Sequence, residues 1–302
     1  MALYIKHRPK DFTEIISNKG TVLSLEAELK KEDHSHSYLF IGPSGCGKTT
    51  IARIFANKLG CHEKSIIEID AGSERGVETA DNLRESILYT PIYGSIKVYI
   101  IDEIQATSAK FQEALLKTLE DTPKHIYFIL CTTDPQKIKK TVKTRCSTYE
   151  VSALNNINIY KLLSKICKKE NIQIQDDVLK EIAIVSEGCP RQALVILDQV
   201  ILVEPSYRLK IVKSSKIEKE EIKKLIKLLL TNSNWKDVAK VLKGLKEDPE
   251  KIRMSILMYC NAILLNGKSN PKIALIMDYF KDPFYSAGKA LLTLACYNII
   301  SE

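Results

Sequence analysis

The sequence predicts an α/β domain built on a parallel sheet, followed by a region that is helical throughout. Three observations carry this. Up to about Glu150, short apolar runs rich in Ile, Val, Tyr and Phe alternate with helical patterns, as βαβ units do. After Val151 the strand signal disappears, and apolar residues recur at three-to-four spacing. Between the first run and the first helix lies a glycine-rich segment of the kind that turns a strand directly into a helix.

Ser37–Ile41, Ser65–Ile69, Lys97–Ile101 and Ile126–Cys131 read as strands, apolar without alternation, as in a sheet covered on both faces. Helical patterns lie between them at Thr49–Leu59, Glu78–Leu88 and Ser108–Leu119. Asn156–Lys169, Asp176–Ser186 and Arg191–Val203 suit a small three-helix bundle. Pro205 and a polar, basic stretch mark Glu204–Ser215 as a linker. Ile217–Glu302 is helical again, with breaks near Thr231–Asn234, Asp248–Pro249, Asn266–Pro271 and Asp282–Pro283. The expected division is residues 1–150, 151–205 and 216–302.

The 302 residues are 45% hydrophobic, enough to bury real cores, which excludes wholesale disorder. The apolar runs are far shorter than the ~20 residues that cross a bilayer, and Met1–Asp11 is no basic-then-apolar leader. A cytoplasmic protein with no membrane partner is therefore expected. The net charge of +8 permits a nucleic-acid partner, but an even spread of lysines accounts for it equally well. The eight cysteines never adopt Cys-x-x-Cys spacing, so they read as reduced thiols rather than a zinc site.

Gly42-Pro43-Ser44-Gly45-Cys46-Gly47-Lys48-Thr49 fits the phosphate-loop pattern, with Thr50 continuing into the helix. Its glycines let backbone N–H groups turn inward, and the helix N-terminus adds a positive dipole end. Lys48 supplies a charge for the β- and γ-phosphates of ATP, and the Thr49 hydroxyl a ligand for Mg²⁺. The strand Val98–Ile101 ends in Asp102 and Glu103, at the edge where a parallel sheet binds ligands. Asp102 suits Mg²⁺, usually through water, and Glu103 suits orienting or deprotonating a water; a solvated strand end would look the same. After the next strand, Thr133 can sense a γ-phosphate, or simply belong to a turn. Tyr4, Arg8 and Pro9 could frame an adenine or form a plain basic arm.

Further segments narrow the class. Tyr4–Phe12, Ile69–Val77, Lys97–Glu103, Ala114–Glu120 and Thr144–Cys146 closely resemble clamp-loader AAA+ ATPases, the family of the gamma/tau subunits of bacterial DNA polymerase III and the replication factor C small subunits. The resemblance is dense from about Leu3 to Leu197 and weak beyond. It implies an AAA+ phosphate-loop domain, a three-helix lid and a helical C-terminal collar, in a subunit that uses ATP to open a sliding clamp and place it on primer–template DNA. It implies that Arg145 reaches the nucleotide of a neighbouring subunit and Arg191 that of its own chain. It also implies that Ser73, Arg75 and Gly76, with Lys117 nearby, track template phosphates, with a structural ion pair as the lesser alternative for Arg75. A pentameric ring is the implied assembly.

Two departures stand out. The bacterial subunit's four-cysteine zinc module is missing after Cys61, and Thr144 replaces a serine in the arginine motif. With no long tail expected after Glu302, a compact phage-type loader fits the pattern. A non-hydrolysing scaffold of the same assembly and a branch-migration helicase are the alternatives; the helicase would require a winged-helix domain at the C-terminus.

Overall fold

Five parallel strands make one sheet in the order β2-β3-β4-β1-β5. They are β1 (Ser37–Ile41), β2 (Ile66–Asp70), β3 (Lys97–Asp102), β4 (Ile126–Thr132) and β5 (Ser147–Glu150). The computed structural model describes every residue except 73–82, 84, 232, 246, 266–270 and 285–286, and the side chains of 214–220. The described chain forms two units, Met1–Arg208 and Leu209–Glu302.

Central strands of a covered sheet need apolar side chains on both faces, and β4 is buried along its whole length. On one face Tyr38, Phe40, Val98, Ile100 and Ile129 pack with Leu25 of α2 (Lys19–Glu28) and with Ile51 and Phe55 of α3 (Lys48–Lys58). On the other, Leu39, Tyr99, Ile101, Phe128 and Leu130 pack with Phe111, Leu115 and Leu119 of α4 (Ala109–Glu120). Ser108 caps α4 by accepting from Phe111 N at 3.1 Å. Phe55 is fully buried, its ring edge-on to Tyr38 at 4.7 Å. Removing it by Phe55→Ala should destabilise the chain by about 3–5 kcal/mol, as a lower urea midpoint at unchanged slope.

The four expected strands occur within a residue or so of their expected bounds. The helix expected over Glu78–Leu88 falls largely outside the described residues. The strand β5 was not anticipated: Ser-Thr-Tyr-Glu is a polar edge strand, half of it exposed, so it lacks the apolar run that marks its neighbours.

Three helices follow as expected: α6 (Asn156–Lys169), α7 (Asp176–Val185) and α8 (Pro190–Ile201), after the one-turn α5 (Lys140–Lys143). The N-terminal turn α1 (Leu3–Lys6) is tied to them: Leu3 N donates to Asp198 Oδ2 at 2.9 Å, and Lys6 Nζ and His7 Nε2 meet Glu170 at 2.6 and 2.5 Å. The expected linker over Glu204–Ser215 is instead helical, part of α9 (Pro205–Leu230). Proline locks φ near its helical value and lacks only an N–H that the first turn leaves unbonded anyway, so Pro205 starts this helix rather than breaking the chain. Pro249 and Pro271 likewise open α11 (Pro249–Leu265) and α12 (Pro271–Tyr279).

With α10 (Trp235–Gly244) and α13 (Lys289–Ser301), the second unit encloses its own core, including Leu225, Leu229, Val238, Ile256, Phe280 and Ile299. Buried Arg253 links two of its helices. It pairs with Glu250 and donates through Nη1 to the carbonyls of Phe280 and Lys281 at 2.7 and 3.1 Å. No helix among the described residues is long and apolar enough to cross a membrane.

Candidate nucleotide site

The register brings three strand ends to one edge of the sheet. Ile41 pairs with Thr132, and Ile101 with Leu130, so the segments after β1, β3 and β4 emerge side by side. This is the crevice at the carboxyl ends of the strands, where such sheets bind ligands.

The loop after β1 is closely backed. Gly42 N donates to Thr132 O at 3.2 Å, and a Cβ on Gly42 would lie 2.0 Å from Val151 O. Gly45, at φ +69°, faces the start of α8: its Cβ would lie 2.4 Å from Cys189 Sγ and 3.4 Å from Arg191 Cβ. The loop therefore requires glycine at both points, and the second contact brings Arg191 beside it. Lys48 is 4% exposed, and its ammonium donates to the Gly42 and Pro43 carbonyls at 3.0 Å each. Those bonds occupy the position from which it would reach a phosphate. Cys46 is buried, its thiol donating to Val151 O at 3.4 Å; burial pushes the thiol up in pKa, which makes it an inert wall of the loop.

The acidic pair behaves as two separate groups. Thr49 Oγ1 donates to Asp102 Oδ2 at 2.5 Å, so two oxygen donors of the kind magnesium takes already share one spot. Asp102 Oδ1 accepts from Glu103 N at 3.0 Å. Glu103 itself turns away, with left-handed backbone angles of 53° and 41°, uncommon for a non-glycine residue and a strain that concentrates at functional sites. Its Oε2 accepts from Thr133 Oγ1 at 3.0 Å and from Gln105 Nε2. Gln105 Nε2 also meets Thr133 Oγ1 at 2.8 Å, and Gln105 Oε1 accepts from Thr132 Oγ1 at 2.7 Å.

Gln105 and Thr132 were not anticipated. The only sequence signal for Gln105 is a polar residue in an otherwise apolar turn after the acids. Its approach depends on the left-handed conformation of Glu103, which folds the chain back on itself.

The N-terminal arm also reaches the loop, through Arg8 Nε donating to Thr50 Oγ1 at 3.1 Å. Partial burial and then Arg53 lower the pKa of Arg8, with Arg191 adding to the effect. Tyr4 lies on α1, its ring partly exposed, and Pro9 follows Arg8. Arg145 is held elsewhere: Nη2 pairs with Glu120 at the end of α4, and Nη1 donates to Thr141 O at 2.9 Å. Among the described residues it makes no hydrogen bond to the phosphate loop. Lys117 is exposed on α4, whereas Ser73, Arg75 and Gly76 lie outside the described residues.

Comparison with known proteins agrees with this geometry. Residues 65–155 match the family model for the DNA polymerase III delta subunit, and residues 161–201 that for an RCF1/5-like AAA+ ATPase lid domain. The chain is 31% identical to DNA polymerase III subunit tau of Bacillus subtilis, over 99% of this chain and 58% of that protein. It is 36% identical to the tau/gamma subunit of Haemophilus influenzae, over 65% of this chain and 32% of that one. It thus spans between about a third and three fifths of these relatives. Among solved structures, the Thermotoga maritima RuvB Holliday junction branch migration motor shares the fold, with a TM-score of 0.60 and 20% identity over 79% of this chain and 86% of that one. A similarity that takes in nearly the whole of this chain, joined to a lid of the matching type, makes the chain similar to the gamma/tau subunits of DNA polymerase III.

Proposed function

We propose that this chain is an ATP-hydrolysing subunit of a DNA sliding-clamp loader. The observation that carries the reading is the meeting, at one edge of the sheet, of Lys48, the Thr49–Asp102 pair and the Glu103–Gln105–Thr133 array. In this reading residues 1–150 bind the nucleotide, 151–205 form the lid and 216–302 the collar of a pentamer. The amides from Gly42 to Thr49 cradle the phosphates, and Lys48 exchanges its two carbonyl partners for phosphate oxygens. Thr49 and Asp102 would hold Mg²⁺, which offsets phosphate charge. Glu103 orients the attacking water and takes its proton, Thr133 contacts the γ-phosphate, and Arg191 adds charge from the lid. Tyr4, Arg8 and Pro9 border the base, and a neighbouring subunit's Arg145 completes the site.

Ser73, Arg75, Gly76 and Lys117 are the proposed contacts to primer–template phosphates, and the cytoplasmic replisome the proposed setting. A clamp-facing surface is supported by Leu88, Tyr89 and Ile92, large side chains within five residues of one another that are 76%, 71% and 92% exposed. Every position of the hydrolytic site is filled, which disfavours a scaffold role. The second unit has no strand among its described residues, which disfavours the winged-helix reading.

The test is steady-state ATP turnover with primed DNA and clamp added separately and together. Strong stimulation by the two together is expected. Turnover indifferent to both would leave a generic phosphate-loop ATPase and overturn the clamp-loading role.

A further inference from the structure

We propose that Gln105 is a positioning residue that fastens Glu103 to Thr133 and thereby sets the rate of hydrolysis without contributing to nucleotide affinity. The inference rests on the hydrolytic reading above and assigns a role to a side chain outside the phosphate loop and the acidic pair.

The orientation of the Gln105 amide follows from its partners. The Glu103 carboxylate can only accept, so the nitrogen of the Gln105 amide must face it, which leaves Gln105 Oε1 to take the proton of Thr132 Oγ1; that hydroxyl in turn accepts from Asp134 N at 3.1 Å. The NH₂ end thus meets both Glu103 Oε2 and Thr133 Oγ1. Thr132 is fully buried, so this anchor is shielded from water. Glu103 Oε2 receives both Gln105 and Thr133, while its Oε1 accepts no hydrogen bond among the described residues and stays available to a water. One amide therefore spans the ends of β3 and β4, joining the group that takes a proton to the group that meets the γ-phosphate.

The turn does not need Gln105 to fold. Ile104 anchors it in the core at 0% exposure. Ala106 N donates to Glu103 O at 2.8 Å, and Thr107 donates to Ile104 O through both N, at 3.1 Å, and Oγ1, at 2.7 Å. What Gln105 adds is direction. Without it the Glu103 carboxylate keeps only the Thr133 hydroxyl and can pivot about that single bond away from the water, and misplacement of about 1 Å costs up to ~10²-fold in rate.

The experiment compares Gln105→Ala, Gln105→Leu and Gln105→His in the full chain, assembled with its partner subunits, clamp and primed DNA. It measures kcat, KM and the Kd of a non-hydrolysable fluorescent ATP analogue. Gln105→Ala and Gln105→Leu should lower kcat about 10- to 100-fold with Kd within about 3-fold of wild type. Gln105→His, which keeps an N–H donor, should recover part of the loss. If Gln105→Leu holds the wild-type kcat, volume alone matters and the proposal fails. It fails equally if affinity falls in step with kcat, or if Gln105→His is no better than Gln105→Leu. These results concern Gln105 only while the wild type turns over; a wild type without turnover overturns the hydrolytic reading and this inference with it.

Discussion

Arg145→Ala should lower turnover of the assembled protein about 10³-fold or more, the scale of an arginine finger, while ATP binding persists. Within its own chain Arg145 is engaged by Glu120 and the Thr141 carbonyl and makes no described bond to the phosphate loop. A surface ion pair of this kind stabilises by about 1 kcal/mol or less, so the variant should fold normally. The guanidinium has five N–H donors and cannot lose its charge, so it can stay anchored to Glu120 and still present a free edge to a neighbour's phosphates. Mixing tells a trans role from a cis one. Lys48→Ala chains lack the phosphate ligand but keep Arg145, and Arg145→Ala chains have the reverse defect. Assembled together as adjacent copies, they should regain turnover that neither shows alone. No recovery on mixing, with assembly confirmed by light scattering, would mean that Arg145 serves its own chain or no chain.

Much of this site is legible in the sequence because it is local. The phosphate loop is a contiguous motif, and Asp102 ends β3 with Glu103 directly after it, so an apolar strand running into two acids already points to the ligand edge. The central strands are equally plain, since burial on both faces leaves unbroken apolar runs. Legibility fails where a role depends on what another segment supplies. The polar strand β5 exists because β1 offers it a hydrogen-bonding edge. Pro205 reads as a breaker until the helix it begins is seen. The contribution of Gln105 follows from the backbone of Glu103 and from Thr132, neither of which spacing reveals. Gly45 is required by the loop motif, but its contact with Cys189, some 140 residues away, is tertiary.

Glu103→Gln should reduce turnover about 10²- to 10⁴-fold with ATP affinity almost unchanged, because it removes a proton acceptor and little else. The substitution keeps shape and length, and its carbonyl oxygen can still accept from Thr133 and Gln105, so the array survives as a scaffold. The phosphate ligands are untouched: Lys48 lies on the loop carbonyls, and Thr49 with Asp102 forms a separate pair. Binding and chemistry should therefore come apart, with kcat falling and Kd holding, as expected when an interaction made only in the transition state is lost. Lys48→Ala should weaken both. Single-turnover quench measurements alongside equilibrium binding check the split. If Glu103→Gln keeps turnover within about tenfold of wild type, the water is activated by something else, and the left-handed conformation of Glu103 would need a reason other than catalysis.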